Sequence, residues 1–189
     1  MRIFGIDPGS LRTGYGCVET DGTRHRLVDC GALSTASGDA LPDRLRRIHD
    51  GILALMRASA PDCVAIENLF HARNVRSALT LGHARGVVVL AAVEAGLPVV
   101  EYTPAEIKQS VVGYGRAEKP QVQQMVKLLL GLDTAPTPHD AADALAVAIC
   151  QAHACGGLVT DAAAARRAPR HERSWRHAKL SQLSRRQTP

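Results

Sequence analysis

The sequence of 189 residues is poor in aromatic side chains, which make up 3% of it, and its five cysteines form no Cys-x-x-Cys pair. Because zinc sites and the disulfide frameworks of small domains need closely spaced cysteines, neither is predicted. No stretch reaches the roughly 18 consecutive apolar residues of a membrane span, and the first residues lack the apolar core of a secretory signal. We therefore expect a soluble, cytoplasmic protein with reduced cysteines and no membrane association.

Negative charge is scarce at the end of the chain, and the net charge of +5 is concentrated there. Residues 157–189 carry eight Lys and Arg against Asp161 and Glu172, a net charge of +6, whereas residues 1–156 carry −1. Such a segment can contact nucleic acid or simply be solvated, and charge alone does not separate the two. Its apolar residues are too few for a core, so we predict one domain, residues 1–156, and a basic, disordered tail, residues 157–189.

The most informative stretch is the first, where an apolar strand at residues 3–6 runs into the turn Asp7-Pro-Gly9-Ser10. Asp7 therefore lies at the tip of a core strand. A leading Asp in such a turn commonly accepts turn hydrogen bonds, so a purely local role and a functional role are both open at this point. Gly14 and Gly16 in the next strand are interpreted as bends that leave the groove at the strand ends open.

Apolar periodicity predicts five strands and five helices. Strands are predicted at residues 3–6, 13–18, 27–33, 63–66 and 97–102, and helices begin near residues 41, 72, 104, 120 and 138. The short first connections predict an antiparallel meander, and the later alternation of strands and helices predicts parallel crossovers. The predicted fold class is α/β, a five-stranded mixed sheet with helices on both faces.

The long helix predicted at residues 72–94 contains Gly82 and Gly86, four residues apart. Glycines at this spacing clear a groove on one helix face. In a globular protein the groove suits close packing, either against the sheet or against a second subunit, and the sequence favours neither.

Carboxylates occur at three places beside the predicted core. Asp7 ends strand one, Glu67 ends strand four, and Asp140 and Asp143 share a face of the last helix. If strands one and four pair in parallel, the four side chains converge, and their repulsion requires cations or protons between them. An all-oxygen cluster suits Mg²⁺ or Mn²⁺, and two such ions about 4 Å apart catalyse phosphodiester hydrolysis.

Simpler roles compete for some of these residues. Asp140 could complete a capping box with Thr137, whereas Glu67 and Asp143 have no obvious partner in their apolar surroundings. His139 precedes Asp140 but points about 100° away on a regular helix, which favours a surface position over a metal ligand.

Four segments together resemble the RuvC family of Holliday junction resolvases over about residues 1–155. They are Gly5-Ile-Asp7-Pro-Gly9-Ser-Leu-Arg-Thr-Gly14-Tyr-Gly16, Ala65-Ile-Glu67-Asn-Leu-Phe70, Val111-Val-Gly-Tyr-Gly115-Arg-Ala-Glu-Lys119 and His139-Asp140-Ala-Ala-Asp143-Ala-Leu-Ala. The resemblance implies a ribonuclease H-like fold, a homodimer, and cleavage of two opposed strands of four-way junction DNA with two Mg²⁺ ions per site, for which Mn²⁺ could substitute. It also implies cooperation with the RuvA and RuvB branch-migration proteins in recombination and repair.

The resemblance also implies roles for individual residues. The metal-binding catalytic residues would be Asp7, Glu67, Asp140 and Asp143. The predicted DNA contacts are Phe70, Arg73, Asn74, Arg76, Lys108 and Lys119. Phe70 would stack on bases at the crossover, and the two lysines would hold phosphates or offset charge in the transition state.

Other functions remain open from the sequence. One is a different ribonuclease H-like nuclease acting on structured nucleic acid, and another is a junction-binding module without catalysis. Asp7-Pro-Gly9 followed by Gly14 is also similar to the phosphate loop of actin-like ATPases, but the chain is too short for the two lobes of that fold.

Overall fold

The protein is described from a computed structural model, which covers residues 1–68 and 74–156. Its elements are β1 (Arg2–Asp7), β2 (Arg12–Thr20), β3 (His25–Ser34), α1 (Leu41–Ser59), β4 (Cys63–Glu67), α2 (Val75–Glu94), β5 (Val99–Tyr102), α3 (Pro104–Val112), α4 (Lys119–Leu129) and α5 (His139–Gly156). The strand order is β3-β2-β1-β4-β5. The first three strands pair antiparallel and β4 and β5 add in parallel, which confirms the predicted mixed sheet. The predicted tail lies outside the described residues.

The two faces of the sheet bury two separate groups of side chains, because successive residues of a strand point to opposite faces. On β1, Phe4 and Ile6 pack against α1 and α2. Ile3 lies on the opposite face, where α3, α4 and α5 cover the sheet. This arrangement confirms the prediction of helices on both faces. Because Asp7 points to the same face of β1 as Ile3 and Gly5, it lies on the face of the sheet that α5 covers.

Helix α5 lies directly on the sheet because glycine occupies the contact positions of β1 and β2. A Cβ atom added to Gly5 would lie 2.1 Å from the carbonyl oxygen of Ala144, and one added to Gly14 would lie 2.0 Å from that of Asp140. At Gly16 it would lie 2.6 Å from the side chain of Leu145. The interpretation of Gly14 and Gly16 as bends is therefore wrong. Both are paired within the regular ladder, and what requires glycine is the approach of the helix.

The start of α3 follows its predicted capping signal. The Thr103 hydroxyl accepts from the amide of Glu106 at 3.3 Å, and the Glu106 carboxylate accepts from the amide of Thr103 at 2.7 Å. This capping box confirms the predicted start of α3. Helix α4 begins at Lys119, one residue before the predicted position, so that Lys119 stands at a helix start.

Helix α2 begins at Val75 and is capped by Asn74, whose side-chain oxygen accepts from the amide of Ser77 at 2.8 Å. The predicted first residues, 72 and 73, lie outside the described residues. Among the residues that the structure describes, none has an atom within 4 Å of a Cβ added to Gly82 or Gly86, so the groove does not pack against the sheet. Of the helices in residues 1–68 and 74–156, α2 alone is long and apolar enough to cross a membrane, with a mean hydropathy of 1.2. A core helix can pass the same test, and α2 buries one face against α1 and the sheet.

The contact between α5 and β1 predicts a large effect of one methyl group. Gly5→Ala places a Cβ against the backbone of Ala144, so the helix must shift, and we expect the free energy of unfolding to fall by about 3 kcal/mol. Gly38→Ala is the control, because no atom of residues 1–68 or 74–156 lies within 4 Å of its added Cβ. Its effect should stay within about 0.5 kcal/mol in urea denaturation. Equal stability of the two variants would contradict the close approach.

Candidate active site

Asp7 and Glu67 end two neighbouring parallel strands. Ile6 pairs with Ile66, so the next residue on each strand is a carboxylate. Ile3 and Cys63, which belong to the same alternation as Asp7 and Glu67, both pack in the core on the α5 side. The two carboxylates therefore lie side by side and point towards α5.

Thr13 holds the turn that follows Asp7. Its hydroxyl donates to the carbonyl oxygen of Gly9 at 2.7 Å and accepts from the amide of Gly9 at 3.4 Å. The side chain is fully buried. Because Thr13 bridges the turn, the carboxylate of Asp7 is available for another role.

Asp143 on α5 joins the two strand-end carboxylates and is paired with a lysine. Lys119 at the start of α4 donates from Nζ to Oδ2 of Asp143 at 2.8 Å. Only 17% of the Asp143 side chain is exposed, against 73% for Lys119. Glu67, Asp143, Lys119 and Lys108 together line a cavity of about 170 Å³. This cavity combines two carboxylates with two ammonium groups beside Asp7.

The acid groups of this cluster do not all ionise readily. Burial, followed by repulsion from Glu67 and Asp143, raises the pKa of Asp7 from 3.8 to about 8. Burial also raises the pKa of Glu67, although a hydrogen bond with Asp7 opposes the shift. The hydrogen bond to Asp143 raises the pKa of Lys119, which stays charged. The site therefore retains a proton near neutral pH and has room for added positive charge.

Asp140 is at the same end of α5 but makes a different contact. Its Oδ2 atom lies 3.4 Å from Nε of Arg12, at the start of β2. Neighbouring His139 is exposed, and its Nδ1 lies 2.7 Å from the side-chain nitrogen of Gln123 on α4. The structure thus brings three of the four predicted carboxylates together and pairs the fourth with Arg12. The surface position predicted for His139 is confirmed.

The donor set fits a hard divalent cation. Carboxylate oxygens are the ligands preferred by Mg²⁺ and Mn²⁺, and a cation between Asp7, Glu67 and Asp143 would replace the retained proton. Within residues 1–68 and 74–156, no group of three or more His, Cys, Asp or Glu side chains is already arranged around a common metal position. Side-chain rotation is therefore needed to complete a coordination shell.

The predicted DNA-contact residues have different outcomes. Phe70 and Arg73 lie outside the described residues. Asn74 caps α2, and Arg76 in the first turn of that helix is exposed. Lys108 and Lys119 both line the carboxylate cavity. The lysines are therefore placed beside the predicted catalytic residues, and the contacts of all six residues with DNA stay predictions.

Sequence reasoning did not single out Arg12, the partner of Asp140. The signal for it was present, because Arg12 and Gly14 lie two residues apart on β2 and therefore face the same side. Gly14 contacts the backbone of Asp140. Identifying Arg12 from the sequence would have required knowing which strand lies beneath the first turn of α5.

The fold and the site together define a class of protein. A mixed five-stranded sheet with carboxylates at the ends of β1 and β4, and an acidic helix crossing them, is the arrangement of metal-dependent nucleases with a ribonuclease H-like fold.

Comparison with known proteins identifies the family within this class. The family described as "Crossover junction endodeoxyribonuclease RuvC" matches residues 3–151. The RuvC proteins of Syntrophotalea carbinolica and Chloroflexus aggregans are 58% and 54% identical over 153 residues, covering 81% of this chain and 94% and 93% of theirs. The chain belongs to the RuvC family of crossover junction endodeoxyribonucleases.

Solved structures agree with this assignment. Thermus thermophilus RuvC superposes with a TM-score of 0.77 at 38% identity and covers 83% of this chain and 97% of its own. The Thermus protein has also been solved in complex with a Holliday junction substrate, and that structure superposes with a TM-score of 0.76 at 36% identity, covering 82% of this chain and 95% of its own. The similarity confirms the predicted fold class.

The raised pKa of Asp7 predicts a pH-dependent stability of the metal-free protein. A carboxyl group whose pKa is higher in the folded state contributes stability at low pH and loses it as the pH rises from about 4 to about 8. Asp7→Asn removes this loss, so at pH 7.5 the variant should be more stable than the wild type by as much as about 4 kcal/mol. Urea denaturation with a chelator at pH 4.5 and pH 7.5 measures the difference.

The exposed Asp133 provides the control for this prediction. Asp133→Asn makes the same substitution away from the cluster and should have the pH dependence of the wild type. If Asp7→Asn were less stable than the wild type at both pH values, the result would contradict the raised pKa of Asp7.

Proposed function

We propose that this protein resolves Holliday junctions by hydrolysing one phosphodiester bond on each of two opposed strands. The observation that carries the proposal is the convergence of Asp7, Glu67 and Asp143 at the strand ends, beside Lys108 and Lys119. The solved Thermus relative with a junction substrate supports the choice of DNA over other phosphodiesters. The activity would serve recombination and DNA repair, together with the branch-migration proteins RuvA and RuvB.

The carboxylates would hold the metal. Asp7, Glu67 and Asp143 are the proposed ligands, and Asp140 completes the set when its side chain leaves Arg12. We propose two Mg²⁺ ions per site, with Mn²⁺ as a substitute. When bound, the ions supply Lewis acidity for an in-line displacement at phosphorus.

The remaining residues of the site position the substrate and the ligands. Lys108 and Lys119 would bind the phosphate next to the scissile bond and offset charge that develops in the transition state. Thr13 keeps the turn after Asp7 rigid, and the contact of Gly14 with α5 fixes the backbone of Asp140. Phe70, Arg73, Asn74 and Arg76 would contact the junction outside the catalytic cavity, and residues 157–189 would form a basic tail beyond the nuclease domain of residues 1–156.

Two opposed cuts require two sites, and α2 offers a surface for a second copy of this chain. Val75, Leu79 and Val93 are 76%, 61% and 62% exposed, and Gly82 and Gly86 lie between them. The five positions are spaced by four, three, four and seven residues, the pattern of a helix seam that packs against another helix. The glycines would let the two backbones approach closely. We propose a homodimer through this face of α2.

Asp7→Asn tests the catalytic assignment. We expect cleavage of a synthetic mobile junction in Mg²⁺ or Mn²⁺ to fall by more than about 100-fold, beyond the effect usual for residues that only support a metal ligand. Binding of the same junction, measured by fluorescence anisotropy, should persist because the phosphate-binding lysines remain. Asp133→Asn should cleave like the wild type.

Substrate comparison in the same assay tests the choice of junction over other nucleic acids. The wild type should cleave the junction and leave a linear DNA duplex and a structured RNA intact. Equal cleavage of the duplex or the RNA would favour a general ribonuclease H-like nuclease. Normal cleavage by Asp7→Asn would contradict the metal assignment.

Leu79→Glu tests the α2 interface. A carboxylate in the seam would be desolvated without a partner, so the variant should be a monomer by light scattering where the wild type is a dimer. It should also lose coupling of the two cuts and release singly nicked junctions. Leu128→Glu is the matched control, because Leu128 is 69% exposed on α4 and should not affect the dimer. A dimeric Leu79→Glu variant would contradict this interface.

A further inference from the structure

The side chain of Arg12 is only loosely fixed in its contact with Asp140. Nε of Arg12 lies 3.4 Å from Oδ2 of Asp140, and the two side chains are 55% and 30% exposed. Among the residues that the structure describes, this is the only ion pair that Arg12 makes. Arg2 makes a firmer set of contacts, bonding Glu19 at 3.1 Å and the carbonyl oxygen of Ser59 at 3.2 Å. The guanidinium of Arg12 can therefore be displaced at little cost.

The backbone of Asp140, in contrast, is packed tightly against β2. Its carbonyl oxygen lies where a Cβ of Gly14 would be, which fixes the first turn of α5 against β2. With the backbone packed in this way, a change in the direction of the Asp140 carboxylate would come mainly from side-chain rotation. In the metal-free protein it faces Arg12.

The other carboxylate of α5 shows the same pairing. Asp143 is bonded to Lys119, so both acidic residues of the helix are paired with cations while Asp7 retains a proton. A divalent ion that binds this cluster must compete with these positive charges. The competition at Asp140 depends on one exposed arginine.

We propose that Arg12 is a positioning residue that sets the metal affinity of the site by holding Asp140 away from the other carboxylates until an ion displaces it. The inference rests on the metal site described under the proposed function. Ion binding through Asp140 has to break the pair with Arg12, and the guanidinium then remains close to the bound ion and repels it. Both effects lower the affinity for the ion.

The opposite role would be support, in which Arg12 aims Asp140 at the metal. The two roles predict opposite changes in metal affinity when Arg12 is replaced. Loss of a competing cation tightens metal binding, whereas loss of a supporting contact weakens it.

The test is titration of the DNA-free protein with Mn²⁺ at pH 8 by calorimetry, for the wild type and three variants. Arg12→Gln should bind Mn²⁺ about two- to tenfold more tightly than the wild type, the factor expected from an exposed ion pair and a nearby charge. Arg12→Lys keeps the charge and should remain close to the wild type.

Arg47→Gln is the matched control. Arg47 pairs with Asp39 at 2.9 Å and is 57% exposed, much like Arg12, but it lies on α1 on the other face of the sheet. The variant has the same net charge as Arg12→Gln and should bind Mn²⁺ like the wild type. Tighter binding in both variants would overturn the proposal, because net charge would then explain it.

A variant that already lacks the Asp140 carboxylate tests whether Arg12 acts on metal binding through Asp140. In Asp140→Asn, which lacks the carboxylate that Arg12 holds, the additional change Arg12→Gln should tighten Mn²⁺ binding less than it does in the wild type, because only the repulsion between the guanidinium and the ion is then removed. If Arg12→Gln alone bound Mn²⁺ as tightly as the wild type or more weakly, the proposed role of Arg12 would be overturned. The proposed metal site would stand. A wild type that binds no Mn²⁺ would overturn the proposed metal site and the role of Arg12 with it.

Discussion

The direct contact of α5 with β1 and β2 is the constraint on which the rest of the site depends. The backbone of this helix lies where the side chains of Gly5 and Gly14 would otherwise be. A larger residue at either position would lift the helix and separate Asp140 and Asp143 from the strand ends. The same contact buries most of α5, so that the hydrophobic core and the site are stabilised by one interface.

Charge balance is the second organising feature. Burial raises the pKa values of Asp7 and Glu67, and the metal-free protein balances the charge of the cluster with a proton on Asp7 and with Lys119 beside Asp143. Arg12 does the same for Asp140 at a more exposed position. These groups supply the positive charge that bound ions would supply in the proposed metal site, which is consistent with a cluster that stays folded without metal.

The two faces of the sheet carry different features. The side of the sheet covered by α3, α4 and α5 holds the carboxylates and the lysines, whereas α2 on the other side leaves an apolar, glycine-containing face uncovered. Because the carboxylate cavity and this face lie on different elements, the proposed dimer through α2 would leave the cavity open. That separation suits an enzyme that presents two sites to one branched substrate.

Local patterns in the sequence determined much of this structure. Alternating apolar residues defined β1 and β4, the Thr103 and Glu106 signal defined the start of α3, and carboxylates at strand ends indicated a metal site. These features depend on neighbours in the chain, which is why sequence reasoning found them. The role of Gly14, the partner of Asp140 and the uncovered face of α2 involve residues far apart in the chain. Only the tertiary structure decided them, because they depend on how the helices and strands pack and on how much room the packing leaves for each side chain.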